Sequence, residues 1–199
     1  MIRSARIRVA AATALLTLGS SAPLTAGPHM PDLSVGLGAT TAVSGTPNNG
    51  GFSTWGAALW PVDGPWSFGF AGFVDDMGNT LVQAVRPGVP PVPAGTVETR
   101  HRFVYGGGWR LDARLPGAGR WQPTASAMWN VARVQDDARG VVIDGQSAAG
   151  FGLGLGIHRN ALKHSAVGAV IRYHRLRNDR ASGYMSGGLE WGWRFGTTP

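Results

Sequence analysis

Beyond residue 31 the chain alternates. Large apolar side chains fall at every second position, with Gly, Ser or Thr between them, most plainly in the run Phe151-Gly152-Leu153-Gly154-Leu155-Gly156-Ile157. A repeat of two residues marks a β-strand with chemically different faces, because successive side chains leave a strand on opposite sides. Helix is disfavoured throughout. Of the 199 residues 31 are Gly, and Pro87, Pro90, Pro91 and Pro93 crowd one stretch; both residue types oppose helix propagation. No run reaches the roughly 18 consecutive apolar residues of a membrane-spanning helix. The expectation is an all-β chain.

Eight alternating segments can be marked off. Asp32–Val43 sets Leu33, Val35, Leu37 and Ala39 against Ser34, Gly36, Gly38 and Thr40. Gly51–Trp60 has ambiguous parity, since Trp55, Leu59 and Trp60 cannot share a face. Pro65–Val74 turns Trp66, Phe68 and Phe70 one way. Glu98–Leu115 sets Phe103, Tyr105, Trp109, Leu111 and Ala113 against Arg102, Val104, Arg110, Asp112 and Arg114. Trp121–Val131 sets Trp121, Ala125, Ala127, Trp129 and Val131 against Gln122, Thr124, Ser126, Met128 and Asn130. Ala148–His158 opposes Phe151, Leu153, Leu155 and Ile157 to four glycines. Ser165–Leu176 opposes Val167, Ala169, Ile171 and Tyr173 to Gly168, Val170, Arg172 and His174. Gly183–Phe195 opposes Met185, Leu189, Trp191, Trp193 and Phe195 to Gly188, Glu190, Gly192 and Arg194.

The two faces identify the surroundings. A soluble sandwich or lipocalin puts its large apolar face inside and its charges in water. A membrane barrel does the reverse, with lipid against the apolar face and small or polar residues filling the lumen. Here the apolar face is bulky and aromatic, and an eight-stranded interior is too narrow for so many Trp and Phe. The expectation is an eight-stranded antiparallel up-and-down transmembrane β-barrel. Connectors agree. Short links at Pro61–Gly64, Pro116–Arg120 and Arg159–His164 alternate with longer ones at Ser44–Gly50, Asp75–Val97, Ala132–Ser147 and Arg177–Ser182, as periplasmic turns alternate with outer loops. Trp60, Trp66, Trp121, Trp193 and Phe195 then form an aromatic girdle near the short turns, where indole favours the membrane interface.

The amino terminus reads as an address. Arg3, Arg6 and Arg8 precede the apolar run Val9–Leu18 and small residues follow to Ala26; this is the layout of a secretory signal peptide. Cleavage is placed after Ala26, giving a signal peptide over 1–26 and a barrel domain over 27–199. Of the formal charge of +7, three units sit in that leader. What remains is spread out, without an Arg cluster interleaved with aromatics, so no nucleic-acid partner is expected. There is no Cys, which removes disulfides, thiolate metal sites and lipidated cysteine anchors.

On these segments, and most specifically on the ending Leu189-Glu190-Trp191-Gly192-Trp193-Arg194-Phe195, the chain resembles the small eight-stranded outer-membrane barrels of the OmpA or OmpX kind. The resemblance implies a Gram-negative-type outer membrane, contact with its lipid and lipopolysaccharide, and recognition of the near-terminal Phe195 by the barrel-insertion machinery. It departs by adding Gly196–Pro199. Arg172-Tyr173-His174, with Asn178 beyond, faintly resembles the His-x-Ser-Asn region of lipid A deacylase barrels. His174 stands where the base would, but Leu176 occupies the nucleophile position.

Chemistry is expected mainly inside. Arg102, Arg110, Asp112, Arg114, Arg172, His174, Glu190 and Arg194 face the lumen, where charges must pair. They form either an ion network that closes the barrel or the lining of a narrow, anion-preferring pore. His158 and His164 lack acidic neighbours in sequence, and Asp75-Asp76 and Asp136-Asp137 read as solvated pairs on outer loops, so no metal or cofactor is expected. The favoured role is structural or surface-interacting and non-enzymatic, through loops that could meet an extracellular partner. A deacylase-like hydrolase, a pore and a soluble lipocalin-like binder of apolar ligands are the alternatives.

Overall fold

The computed structural model describes residues 30–44, 50–62, 64–83, 97–117, 120–138, 141–162, 164–179 and 181–194. The expected leader over 1–26, Phe195, the Pro-rich stretch 87–93 and the middle of the Asp75–Val97 connector lie outside them. Eight strands run in chain order: β1 (Asp32–Ser44), β2 (Gly51–Pro61), β3 (Trp66–Gln83), β4 (Val97–Arg114), β5 (Trp121–Ala138), β6 (Val141–Leu162), β7 (Ser165–Leu176) and β8 (Gly183–Trp193). Each pairs antiparallel with its sequence neighbour, and β1 closes on β8 from Leu33↔Trp193 to Ser44↔Gly183. Closure leaves no edge in the membrane, where an unpaired backbone group is costly.

The alternation sorts the side chains as the sequence suggests. Leu37, Phe70, Trp109, Trp129, Leu155, Ile171 and Leu189 point outward and are 47–64% exposed. An apolar belt of this extent around every described strand suits hydrocarbon, not water. That geometry overturns the lipocalin-like alternative, which needs the aromatic face inside. The ambiguous β2 resolves as Ser53, Trp55 and Leu59 inward with Phe52 and Trp60 outward.

Two features depart from the sequence reading. First, not all bulky aromatics face lipid: Trp55, Phe73 and Tyr184 are buried in the lumen beside Met77, Val104 and Met128. Room is made by glycine. Gly36 lies directly under the Trp55 indole, in space that any Cβ would fill. Second, β3 to β6 are much longer than the segments marked by alternation. They contain 18, 18, 18 and 22 residues, against 13, 11, 12 and 11 for β1, β2, β7 and β8. About 9–11 residues suffice to cross a bilayer. The residues 75–83 at the start of one expected outer loop, and 132–138 and 141–147 of the other, are therefore strand. β3 and β4 stay paired to Gln83↔Val97, and β5 and β6 to Ala138↔Val141. A bulge between Asp76 and Gly78 marks the exit of β3 from the barrel wall; Gly78 there has φ 74°, a conformation glycine adopts without strain.

Candidate functional site

The lumen is where charge gathers, and it is built in layers. Inward positions of neighbouring strands meet because antiparallel register places them side by side: Gly168 of β7 faces Glu190 of β8, and Gly36 of β1 faces Glu190 from the other side. The two glycines leave Glu190 surrounded by space that longer side chains enter from other strands. Arg172 Nη2 donates to Glu190 Oε2 at 2.5 Å, Trp55 Nε1 donates to the same oxygen at 2.7 Å, and Arg110 Nη1 lies 3.7 Å away. His158 Nε2 stands 3.3 Å from Oε1. Arg110 also grips Asp112 with two donors, Nε at 2.6 Å and Nη2 at 2.7 Å. The Arg172 guanidinium sits 4.3 Å above the Trp55 ring, a cation–π contact. Two carboxylates thus balance two guanidiniums in a closed core, so the pairing offsets the cost of removing them from water.

Below this core, near the short turns, Arg114 Nη2 donates to Asp32 Oδ2 at 2.5 Å and Arg194 Nη1 to Asn160 Oδ1 at 3.3 Å. Above it lies a layer of packed rings around one carboxyl group. His174 stacks on Tyr184 with centroids 4.7 Å apart and tilts against Phe73 at 5.1 Å. Tyr184 and Ser53 both donate to the buried Asp75, at 2.8 and 2.5 Å. Higher still, Arg102 makes a two-pronged pair with Asp136, at 2.7 and 3.0 Å, with both side chains 2% exposed.

The sequence reading placed eight residues in one ion network. The structure brings Arg110, Asp112, Arg172 and Glu190 together, but seats Arg114 and Arg194 at the turn end and Arg102 at the outer end. His174 joins none of these ion pairs; it is packed between rings, with Nε2 3.2 Å from Ser186 Oγ. Several partners escaped sequence reading. His158, dismissed for lack of acidic neighbours in sequence, reaches Glu190 over Gly168 of the intervening β7. Asp75 and Asp136, assigned to solvated loops, are buried on strands because those strands continue past the alternating segments. Asp32 sits at the very start of β1. Only strand register, with its outcome at β3 and β5, could have revealed these.

Of the girdle residues, Trp60, Trp66 and Trp121 stand exposed at the turn ends of β2, β3 and β5, and Arg159 lies over the Trp121 ring at 5.8 Å. Trp193 is half-buried, and Phe195 lies outside the described residues. Among the described residues no cluster of His, Asp or Glu is arranged to hold a metal ion.

At the turn end a cavity of about 70 Å³ lies among Asp32, Asp112, Arg114, His158 and Glu190, and the middle of the lumen is tighter. The cavity among Trp55, Phe73, Arg110, Met128, Arg172 and His174 measures about 20 Å³, room for about one ordered water.

Fold and lumen together define a class: a closed eight-stranded transmembrane barrel whose interior is filled by ion pairs and packed rings. No protein-family model and no curated protein sequence matches the chain. Among solved structures it is similar to the crystal structure of neisserial surface protein A, with a TM-score of 0.59 and 12% identity over 85% of this chain and 99% of that one. A weaker likeness, TM-score 0.40 at 13% identity over 83% and 99% of the two chains, joins it to Ail, the attachment invasion locus protein of Yersinia pestis. The chain has the fold of the small eight-stranded outer-membrane barrels.

Proposed function

We propose that this protein is a non-conducting, non-enzymatic barrel of a Gram-negative-type outer membrane that holds a surface-exposed sheet for contact with partners outside the cell. The observation that carries this reading is the contrast between a filled lumen and four over-long strands. β3 to β6 extend beyond the bilayer by roughly 20–30 Å of paired sheet, and they do so at the end opposite the short turns and the start of β1. A pore would need an open, water-filled lumen. Export by a signal peptide cleaved after Ala26 and insertion of the carboxy-terminal strand belong to the same reading.

The filled lumen also weighs against the pore and the hydrolase. Glu190, Arg172, Arg110 and Trp55 close the mid-section. Among the described residues the one His–Ser contact, His174 with Ser186, lies inside the barrel with both residues at most 3% exposed, out of reach of a lipid acyl bond. Reconstitution into a planar bilayer tests the first point. No stepwise conductance is expected; steps that change when Arg110 or Arg172 is replaced by Gln would establish a pore instead. Release of acyl chains from lipid A by the purified protein, lost on His174→Ala, would establish the hydrolase. Adhesion of expressing cells to host-cell monolayers tests the surface role, compared with cells whose 84–96 segment is exchanged for a short Gly-Ser turn. Equal adhesion of both strains would exclude that segment as the contact.

A further inference from the structure

The outer wall carries a charge pattern that the lumen does not explain. On β5, outward positions run Trp129, Val131, Arg133; on β7 they run Ile171, Tyr173, Arg175, and Arg177 follows at the strand's end. All three arginines are exposed. Between them passes β6, whose outward residues shrink at this level from Phe151 to Ala149 and Ser147. The register spaces the arginines along the two sides of that gap. Arg133 pairs with Ser147, Arg175 with Phe151, and Arg177 N donates to Ala149 O at 2.9 Å. The Arg133 guanidinium leans over Gly145 of β6, toward the outer end and away from Arg175 and Arg177. None of the three is ion-paired to a carboxylate among the described residues, whereas Arg102, Arg110, Arg114 and Arg172 all are.

Directly below lies an open groove of about 610 Å³, floored by Ala149, Gly150 and Gly152 and walled by Trp129, Phe151 and Leu153, with Arg175 and Arg177 at its upper rim. Its lower part is in the apolar belt and its upper part is where that belt ends. A cationic rim above an apolar trough, at the boundary of the outer leaflet, is complementary to one kind of molecule: an amphiphile with phosphate at the headgroup level and acyl chains beneath it. Guanidinium groups suit phosphate oxygens because their donors form a planar fork.

We propose that the β5–β6–β7 wall is a binding site for a phosphorylated glycolipid of the outer leaflet. One phosphate is held by Arg175 and Arg177 at the groove's rim, Arg133 farther out along β6 takes a second phosphate of the same headgroup, and an acyl chain lies in the groove against Trp129, Phe151 and Leu153. This rests on the orientation proposed above, with the long strand ends outside, but not on the absence of conductance or on a surface partner.

The test uses the full mature barrel, folded in a neutral detergent micelle and titrated with purified diphosphorylated lipid A, with bound lipid counted by native mass spectrometry. Each Arg→Gln change is expected to weaken binding about fivefold, and the triple change R133Q/R175Q/R177Q roughly 100-fold. Arg159→Gln, at the opposite rim, is expected to leave binding unchanged. Retention of the boiling-dependent gel shift verifies that each variant is folded. Binding that survives the triple change, or a dephosphorylated lipid A that binds equally well, would overturn the proposal. So would binding abolished by millimolar inorganic phosphate, which would reveal a site for a free anion only. A lipid site that holds in a protein found to conduct would separate this inference from the function proposed above.

Discussion

At the scale of single residues, Glu190 carries the most. Its carboxylate accepts from Arg172 and Trp55 and faces Arg110 and His158, so four strands converge on one side chain. Removing it leaves two buried guanidiniums with one carboxylate, Asp112, between them. Loss of one partner of a buried ionic group costs about 3–5 kcal/mol. Glu190→Ala is expected to lower stability by that amount in urea unfolding of the vesicle-embedded barrel; a change below about 1 kcal/mol, the scale of an exposed pair, would mean that the lumen is wet and the network screened. Glu190, Arg110 and Arg172 were legible in the sequence because they interrupt a Gly-rich face with charge. Trp55 was not, since indole on its own suits lipid as well as a lumen; what decides is Gly36 opposite it. His174 was legible as a lumen residue but not as one packed between rings, because Phe73 and Tyr184 come from other strands.

At the scale of elements, the strands are legible where the two environments differ and illegible where they do not. β6 declares itself between Phe151 and Ile157 because lipid stands on one side and a crowded lumen on the other. Past Ala148 the adjacent Ser147 and Gln146 are both exposed, the alternation fades, and strand reads as loop. The same loss of contrast concealed the outer halves of β3 and β5 and with them Asp75 and Asp136. Inward and outward positions should respond oppositely to chemistry. Because the chain has no Cys, a single Cys can be placed at will. In membranes, Cys at Leu155 is expected to resist a water-soluble maleimide, whereas Cys at Ser147, beyond the apolar belt, is expected to react readily. Rapid labelling at both positions would contradict the lipid-facing assignment of β6. Leu155→Arg should cost roughly 2–4 kcal/mol if the site lies near the bilayer midplane.

At the scale of the whole molecule, each part of the account follows from closure. A closed sheet removes edges, puts small residues and paired charge inside, and turns the bulky aromatic face to lipid; the surplus length of β3 to β6 then has only the aqueous exterior to enter. The most direct test is fractionation of expressing cells, with the band compared on gels with and without boiling. The account predicts recovery in the outer-membrane fraction and a mobility shift on boiling, as a stable barrel unfolds. Recovery as a soluble periplasmic protein with no shift would contradict it, because the aromatic belt would then have no lipid to face.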